Sequence, residues 1–366
     1  MGKILSIIEK HSGGKCFYCD RCSLDHLVFQ EYQDNNEEFK GERIFETENK
    51  QGKNITLEKR KVGYSLFKYF LDGARRTYKI VDFATPDNKF LPIVAGQIAT
   101  AVCIRENKKL KNHKINKKNI LALPDRLGDE FDTIQSELTS LKYHNLTIDK
   151  IVKYRYQPNP DRPFENLAIA KIQLEMLNME INLISEMVHS EMLKTDQMLI
   201  IDGSLQFSSI KEENEYIMRD VIGISKTFNP HLQGILKTKS KEIGHHLLNL
   251  KFGERTPVYV YETKKEKANK YLKIGAWYLR IREQKYSPNP LSGIIKVERI
   301  ATTQKEKEDG FSTDMIDEIS SAILLERNVT CFGNDERWAN HIYPIYLTEQ
   351  FLKSSFVSDQ YFLNIF

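Results

Sequence analysis

The sequence predicts an α/β fold built on one mixed sheet, in which three antiparallel strands are followed by parallel strands and helices flank them. Three observations predict it. Runs rich in β-branched and aromatic residues, separated by turn formers, occupy 64–72, 77–83 and 90–105. A long stretch from 164 to about 194 repeats apolar residues at helical spacing. Short continuous apolar runs at 198–202 and 221–226 read as central strands covered on both faces.

In chain order, residues 1–62 form an N-terminal extension. It opens on a cysteine cluster, Cys16, Cys19 and Cys22, with three residues between Cys22 and His26. Cys-x2-Cys is a natural tetrahedral chelate, so a Zn²⁺ knuckle is one reading; reduced surface cysteines are the other. Residues 31–62 are polar and mixed and read as an irregular or hairpin-like entry. The three β-rich runs then form a meander, turning at Gly73-Ala74 and at Pro86-Asp87-Asn88. The run 105–120 carries Arg105, Lys108, Lys109, Lys111, Lys114, Lys117 and Lys118 against Glu106 alone. It opens an insertion at about 105–163 and reads either as a solvated loop or as a nucleic-acid contact. Leu167, Leu174, Leu177, Ile181, Ile184 and Val188 line one face of the following helix; Ile169, Ile172, Met176, Met179 and Met187 form a second stripe. A helix apolar on two sides is sandwiched between layers. Three antiparallel strands, a helix, a parallel strand, a helix and a further strand is the element order of the ribonuclease H fold.

Composition bounds the function. The 366 residues are 40% apolar and 28% charged with a net charge of +4, an ordinary globular balance in which attraction to polyanions must come from local clusters. No run reaches the roughly 18 apolar residues of a membrane span, and the start lacks a secretory core, so a cytoplasmic protein without membrane contact is expected. Five cysteines argue against a disulfide framework.

Asp72 and Asp202 each precede Gly at the predicted ends of the first and fourth strands, which this topology makes neighbours. Carboxylates side by side repel unless a hard cation such as Mg²⁺ or Mn²⁺ joins them, and one or two such ions serve phosphoryl transfer. The fold expects a third acid on the long helix. Five strand residues cover roughly 17 Å, which takes about 11 helical residues. Counting back from a helix end near Lys194 arrives near Leu183, within a turn of Glu180. Glu175 shares a polar stripe with Asn178, Asn182 and Glu186.

The chain resembles the NurA nuclease family, on Leu-Asp-Gly-Ala at 71–74, Ile-Asp-Gly-Ser-Leu at 201–205, Val-Ile-Gly-Ile-Ser-Lys at 221–226, Trp-Tyr-Leu-Arg-Ile-Arg at 277–282 with Lys-Val-Glu at 296–298, and Tyr-Pro-Ile-Tyr-Leu at 343–347. The resemblance spreads over roughly 64–360 and makes 63–366 a nuclease domain. It implies Asp72 and Asp202 as ligands of a catalytic metal, Mn²⁺ or Mg²⁺. It points to Glu175 as the helical acid, where geometry points to Glu180. Lys226 would meet the scissile phosphate, and Arg75, Arg76, Lys226, Arg280 and Arg282 are the expected DNA contacts. The family's terminal block continues to a histidine; here that position is Phe351, and Glu349 nearby is the substitute ligand. The resemblance further implies DNA as substrate, a homodimer, a HerA-like hexameric ATPase partner and a role in DNA end processing or defence. The alternative is a catalytically impaired DNA-gripping adaptor for such a motor.

Overall fold

The computed structural model describes residues 2–19, 23–25, 44–57, 65–127, 130–142, 146–156, 163–205, 210, 212–230, 233–236, 239–242, 244, 247–264, 271–286, 289–326, 328–329 and 336–366. Helix α1 (Lys3–Ser12) precedes β1 (Lys15–Tyr18) and the short β2 (Ile55–Thr56). Three long strands follow: β3 (Phe67–Ala84), β4 (Phe90–Glu106) and β5 (Lys109–Pro124). Next come α2 (Phe131–Ser140), β6 (Lys150–Tyr154), α3 (Phe164–His189), β7 (Met198–Asp202) and β8 (Val221–Ser225). Strands β9 (Gln233–Leu236) and β10 (Lys239–Glu242) make a separate hairpin. Strands β11 (Glu254–Arg255), β12 (Tyr259–Lys264), β13 (Tyr271–Arg280) and β14 (Ile294–Ile300) then lead to helices α4 (Gln304–Asp309), α5 (Thr313–Leu325), α6 (Tyr343–Ser354) and α7 (Asp359–Leu363).

The main sheet has the order β2-β11-β13-β14-β8-β7-β3-β4-β5-β6, with β1 added to β3 and β12 to β13. Within it, β5-β4-β3-β7-β8 is the ribonuclease H-like arrangement: β3, β4 and β5 pair antiparallel, and β7 joins β3 and β8 in parallel. Strand β4 is buried over most of its length, as a central strand with helices on both faces must be. On one face α3 packs Ile169, Ile172, Met176 and Met179 against Val94, Ile98, Ile120 and Ala122. On the other, Leu352 of α6 sits on Ala74, Ala99 and Ala101. Alanines at these positions keep the sheet surface low, so that α6 comes close to the strands.

The meander differs from expectation in two places. Gly73-Ala74 makes no turn: β3 runs unbroken for 18 residues, and Asp72 lies inside it rather than at its end. The third meander strand is β5, so the basic run is part of the main sheet and not a loop. An open edge tolerates alternating lysines, which a polarity reading assigns to solvent. Helix α3 ends at His189, short of Lys194, where Glu191 takes a left-handed turn (φ 52°).

The extension contributes to the same body. Strand β1 pairs with residues 81–84 of β3, and Phe45 inserts beside Phe311. Arg255, fully buried, is held by Glu46 at 2.7 Å and Asp317 at 2.5 Å, tying this segment to α5. Cys22, His26 and most of 31–62 lie outside the described residues, so the zinc knuckle does too. Cys16 is on β1, and burial followed by the nearby Glu9 pushes its thiol up to about 12, which keeps it protonated. Among the described residues no helix is long and apolar enough to cross a membrane.

Candidate active site

The parallel register pairs Phe70 with Ile200 and Leu71 with Ile201, so the next residues, Asp72 and Asp202, lie side by side. Strand β7 ends at Asp202 while β3 continues, and that step leaves both carboxylates at a notch in the sheet. Helix α6 supplies Glu349 from above. One carboxylate oxygen from each of Asp72, Asp202 and Glu349 lies within 4.8 Å of the others. Asp72 is buried, and its carboxyl is pushed well above the usual range by burial first and by the charge of Asp202 next. An added positive charge would relieve both causes.

Lysine 226, following β8, lies among these acids. Its Nζ is 2.5 Å from Asp202 Oδ2 and 3.5 Å from Glu349 Oε2, and it donates to His341 Nε2 at 2.8 Å. Burial pulls its pKa down, but Asp202 and Glu349 outweigh burial and hold it above the ordinary lysine value. Burial likewise raises Glu349, yet Lys226, Lys353 and His341 hold its carboxyl at about 2. Lys353, one turn along α6, approaches Glu349 Oε1 to 2.5 Å. Asn340 fixes the backbone here, its side-chain amide donating to Lys226 O at 2.7 Å.

The two helical glutamates separate cleanly. Glu180 is buried on α3, and a Cβ at Gly73 would overlap its Oε1. It therefore reaches the strand beside Asp72, and its charge is among those raising the Asp72 carboxyl. Glu175 is not brought to the cluster. Both its oxygens accept from Lys150 of β6 at 2.8 Å.

The loop after Asp202 is seated on β8 and β14. A Cβ at Gly223 would meet Leu205 Cγ at 2.7 Å and Gly203 O at 2.9 Å, so glycine leaves the floor open. Glu298, fully buried, accepts from Leu205 N at 2.7 Å and from Ser204 Oγ at 2.8 Å, and Lys296 balances it at 2.6 Å.

The expected DNA contacts fare unevenly. Arg280 is buried and donates to the carbonyls of Leu250, Leu247, Ser292 and Pro290, which makes it an internal tie and removes it from any DNA surface. Arg282 lies over the Trp338 ring at 4.6 Å and donates to Val329 O, contacts within its own fold. Arg75 donates to Gln173 Oε1 at 2.8 Å and Thr77 Oγ1 at 3.1 Å, on the α3 side. Arg76 faces the other way, to Asp359 at 3.2 Å and over Phe356. Phe351 is on the exposed side of α6. His341 and Glu298 are the site residues that motif reasoning missed. The signal for His341 was its place two residues before Tyr343-Pro344; Glu298 lay inside a quoted block without a role.

No family model and no curated protein matches the chain. Among solved structures it is similar to the NurA nuclease from Sulfolobus solfataricus, with a TM-score of 0.43, 11% identity and 81% of each chain covered.

Proposed function

We propose that the chain is a metal-dependent nuclease that hydrolyses DNA phosphodiester bonds. The observation that carries this reading is the convergence of Asp72, Asp202 and Glu349 within 4.8 Å at the notch between β3 and β7. The donor set is all carboxylate oxygen, which suits Mg²⁺ or Mn²⁺ and not a soft metal. Such an ion, held by these three residues, would supply a nucleophile from water and offset charge on the phosphate. Glu180, pressed on Gly73, is the fourth carboxylate of the site. Lys226 would turn its ammonium from Asp202 towards a non-bridging phosphate oxygen as a compact point charge. His341 Nε2 accepts from that ammonium, and Asn340 holds the Lys226 backbone from which it turns. Attack by water on phosphorus would form one P–O bond and break another; the attacking water gives up a proton to solvent, and the departing sugar oxygen takes one from solvent. DNA as substrate, a homodimer and a HerA-like ATPase partner rest on the sequence resemblance and belong to this same proposal.

A second reading is favoured by one observation: Lys226 already pairs with Asp202 and Glu349 from within, as expected of a binding adaptor that has lost catalysis. Labelled DNA incubated with Mn²⁺, with Mg²⁺ and with EDTA separates the two. Cleavage in a divalent ion and none in EDTA supports the nuclease; DNA binding without cleavage under any condition supports the adaptor.

A further inference from the structure

The lysine-rich run that the site does not use forms the outer half of β5 and its hairpin with β4. Strand β6 pairs only with residues 120–124 of β5, so 109–118 present an open edge among the described residues. The β4 register sets Lys109, Lys111, Lys114 and Lys118 opposite Glu106, Ile104, Val102 and Ile98. Cross-strand partners share a face, so these four lysines line the α3 side of the ribbon. From Lys109 to Lys118 they span roughly 30 Å at about 3.3 Å per residue. Lys111 pairs with Glu106 at 2.8 Å, and Lys114 pairs with Glu186. The side chains of Lys108, Lys109 and Lys118 have no hydrogen-bond or ion-pair partner among the described residues, and Lys108 and Lys109 are exposed.

Charge on an open edge prevents edge-to-edge pairing, and either sign achieves that. A row of one sign with two unneutralised members, and Lys108 in the turn at its end, also makes a positive strip that attracts a polyanion. The ribbon is tied to the candidate site through its other face. Asp72 pairs with Ala101 and Ala101 with Ile115 on the α6 side, so two strand steps, roughly 10 Å, separate the β5 backbone from Asp72, and the four lysines lie across the sheet from it. Lys117 donates to Ser355 O at 3.0 Å, just past the end of α6, the helix that bears Glu349 and Lys353.

We propose that the lysine ribbon of β5 is a backbone-binding track that holds DNA along the open edge of the sheet that carries the carboxylate cluster; the identity of its ligand rests on the nuclease reading. The test is a Lys108→Glu, Lys109→Glu, Lys118→Glu triple variant in an Asp202→Asn parent, assayed in EDTA over a salt series with fluorescent single-stranded and duplex oligonucleotides. Reversed charge still protects the edge, so monodispersity is retained. DNA affinity falls roughly tenfold or more at low salt, and the slope of log K against log salt shrinks in magnitude by about 2 on single strands and about 2.7 on duplex. Amine acetylation of the unsubstituted chain gives a second readout: DNA protects Lys109 and Lys118 but not Lys10, exposed on α1 far along the sheet. Unchanged affinity and slope, with both lysines still reactive under DNA, would reduce the row to edge protection and overturn the track while the nuclease reading stands. A parent that binds no DNA overturns both.

Discussion

Gly73 shows how a residue without a side chain can serve a site. Its backbone conformation is ordinary strand, and what it provides is room, since Glu180 Oε1 fills the space of a Cβ. Gly73→Ala therefore expels Glu180 and strains the notch by about 1–3 kcal/mol. The expected result is a folded protein, by circular dichroism, with most of its cleavage lost. Glu180→Gln should lose cleavage as well, whereas Glu175→Gln only breaks an ion pair with Lys150 and retains most of it; a rate assay on the three variants decides. Asp202→Asn should lower Mn²⁺-dependent cleavage roughly a hundredfold or more, the loss of several kcal/mol of charge stabilisation, with DNA binding intact. Glu298 touches neither phosphate nor ligand atoms but clamps Ser204 and Leu205 behind Asp202. Glu298→Gln disturbs the Lys296 pair and should cost roughly 10–100-fold in kcat or Mn²⁺ affinity, with KM for DNA little changed. Asp72, Asp202 and Lys226 were legible because each ends a recognisable apolar run or motif. His341 was marked only by its place before Tyr343-Pro344, and a lone histidine in sequence gives no sign of the lysine it will face across 115 residues.

At the scale of elements, the long helix and the parallel strands were legible because their periodicity is strong and their ends are marked by prolines and by Asp-Gly. The same Asp-Gly signal misled in β3. There the glycine answers to a close approach from α3, a tertiary cause that local turn chemistry cannot show. β5 was missed because lysine lowers strand propensity, while the open edge supplies a tertiary reason to have it. Helix α4 carries a complete capping box: Thr303 accepts from Glu306 N, and the Glu306 side chain accepts from Thr303 N. Thr303→Ala should cost about 1 kcal/mol in urea unfolding. Burial would raise the Glu306 carboxyl, but Arg299 and the backbone N–H groups of Thr302 and Thr303 outweigh it and hold the group below its ordinary value of 4.5. A lowered folded-state pKa stabilises above the unfolded value and ceases to as pH falls through the folded one. The stability difference between the parent and Glu306→Gln should thus be full at neutral pH and shrink below about pH 4.5, which denaturant melts at a series of pH values will show.

For the whole molecule, a metal bound by the folded cluster and absent from the unfolded chain stabilises by mass action, about 2.7 kcal/mol at a hundredfold excess over Kd. For a chain of this length that is a rise of about 3–4 °C in melting temperature, removed by Asp72→Asn. No rise with Mn²⁺ or Mg²⁺ would leave Lys226 as the permanent counter-charge. The pairing of β3 with β7 joins Phe67 to Met198, whereas β3, β4 and β5 meet through short hairpins. Chain-closure entropy penalises the distant pairing, and local contacts form sooner. Refolding should therefore proceed in order: pulsed hydrogen exchange will find β4 amides protected early, and the amides of β7 late. The carboxylates meet only in that last stage, so a nascent or half-folded chain carries a basic ribbon able to grip DNA before it has any means of cutting it.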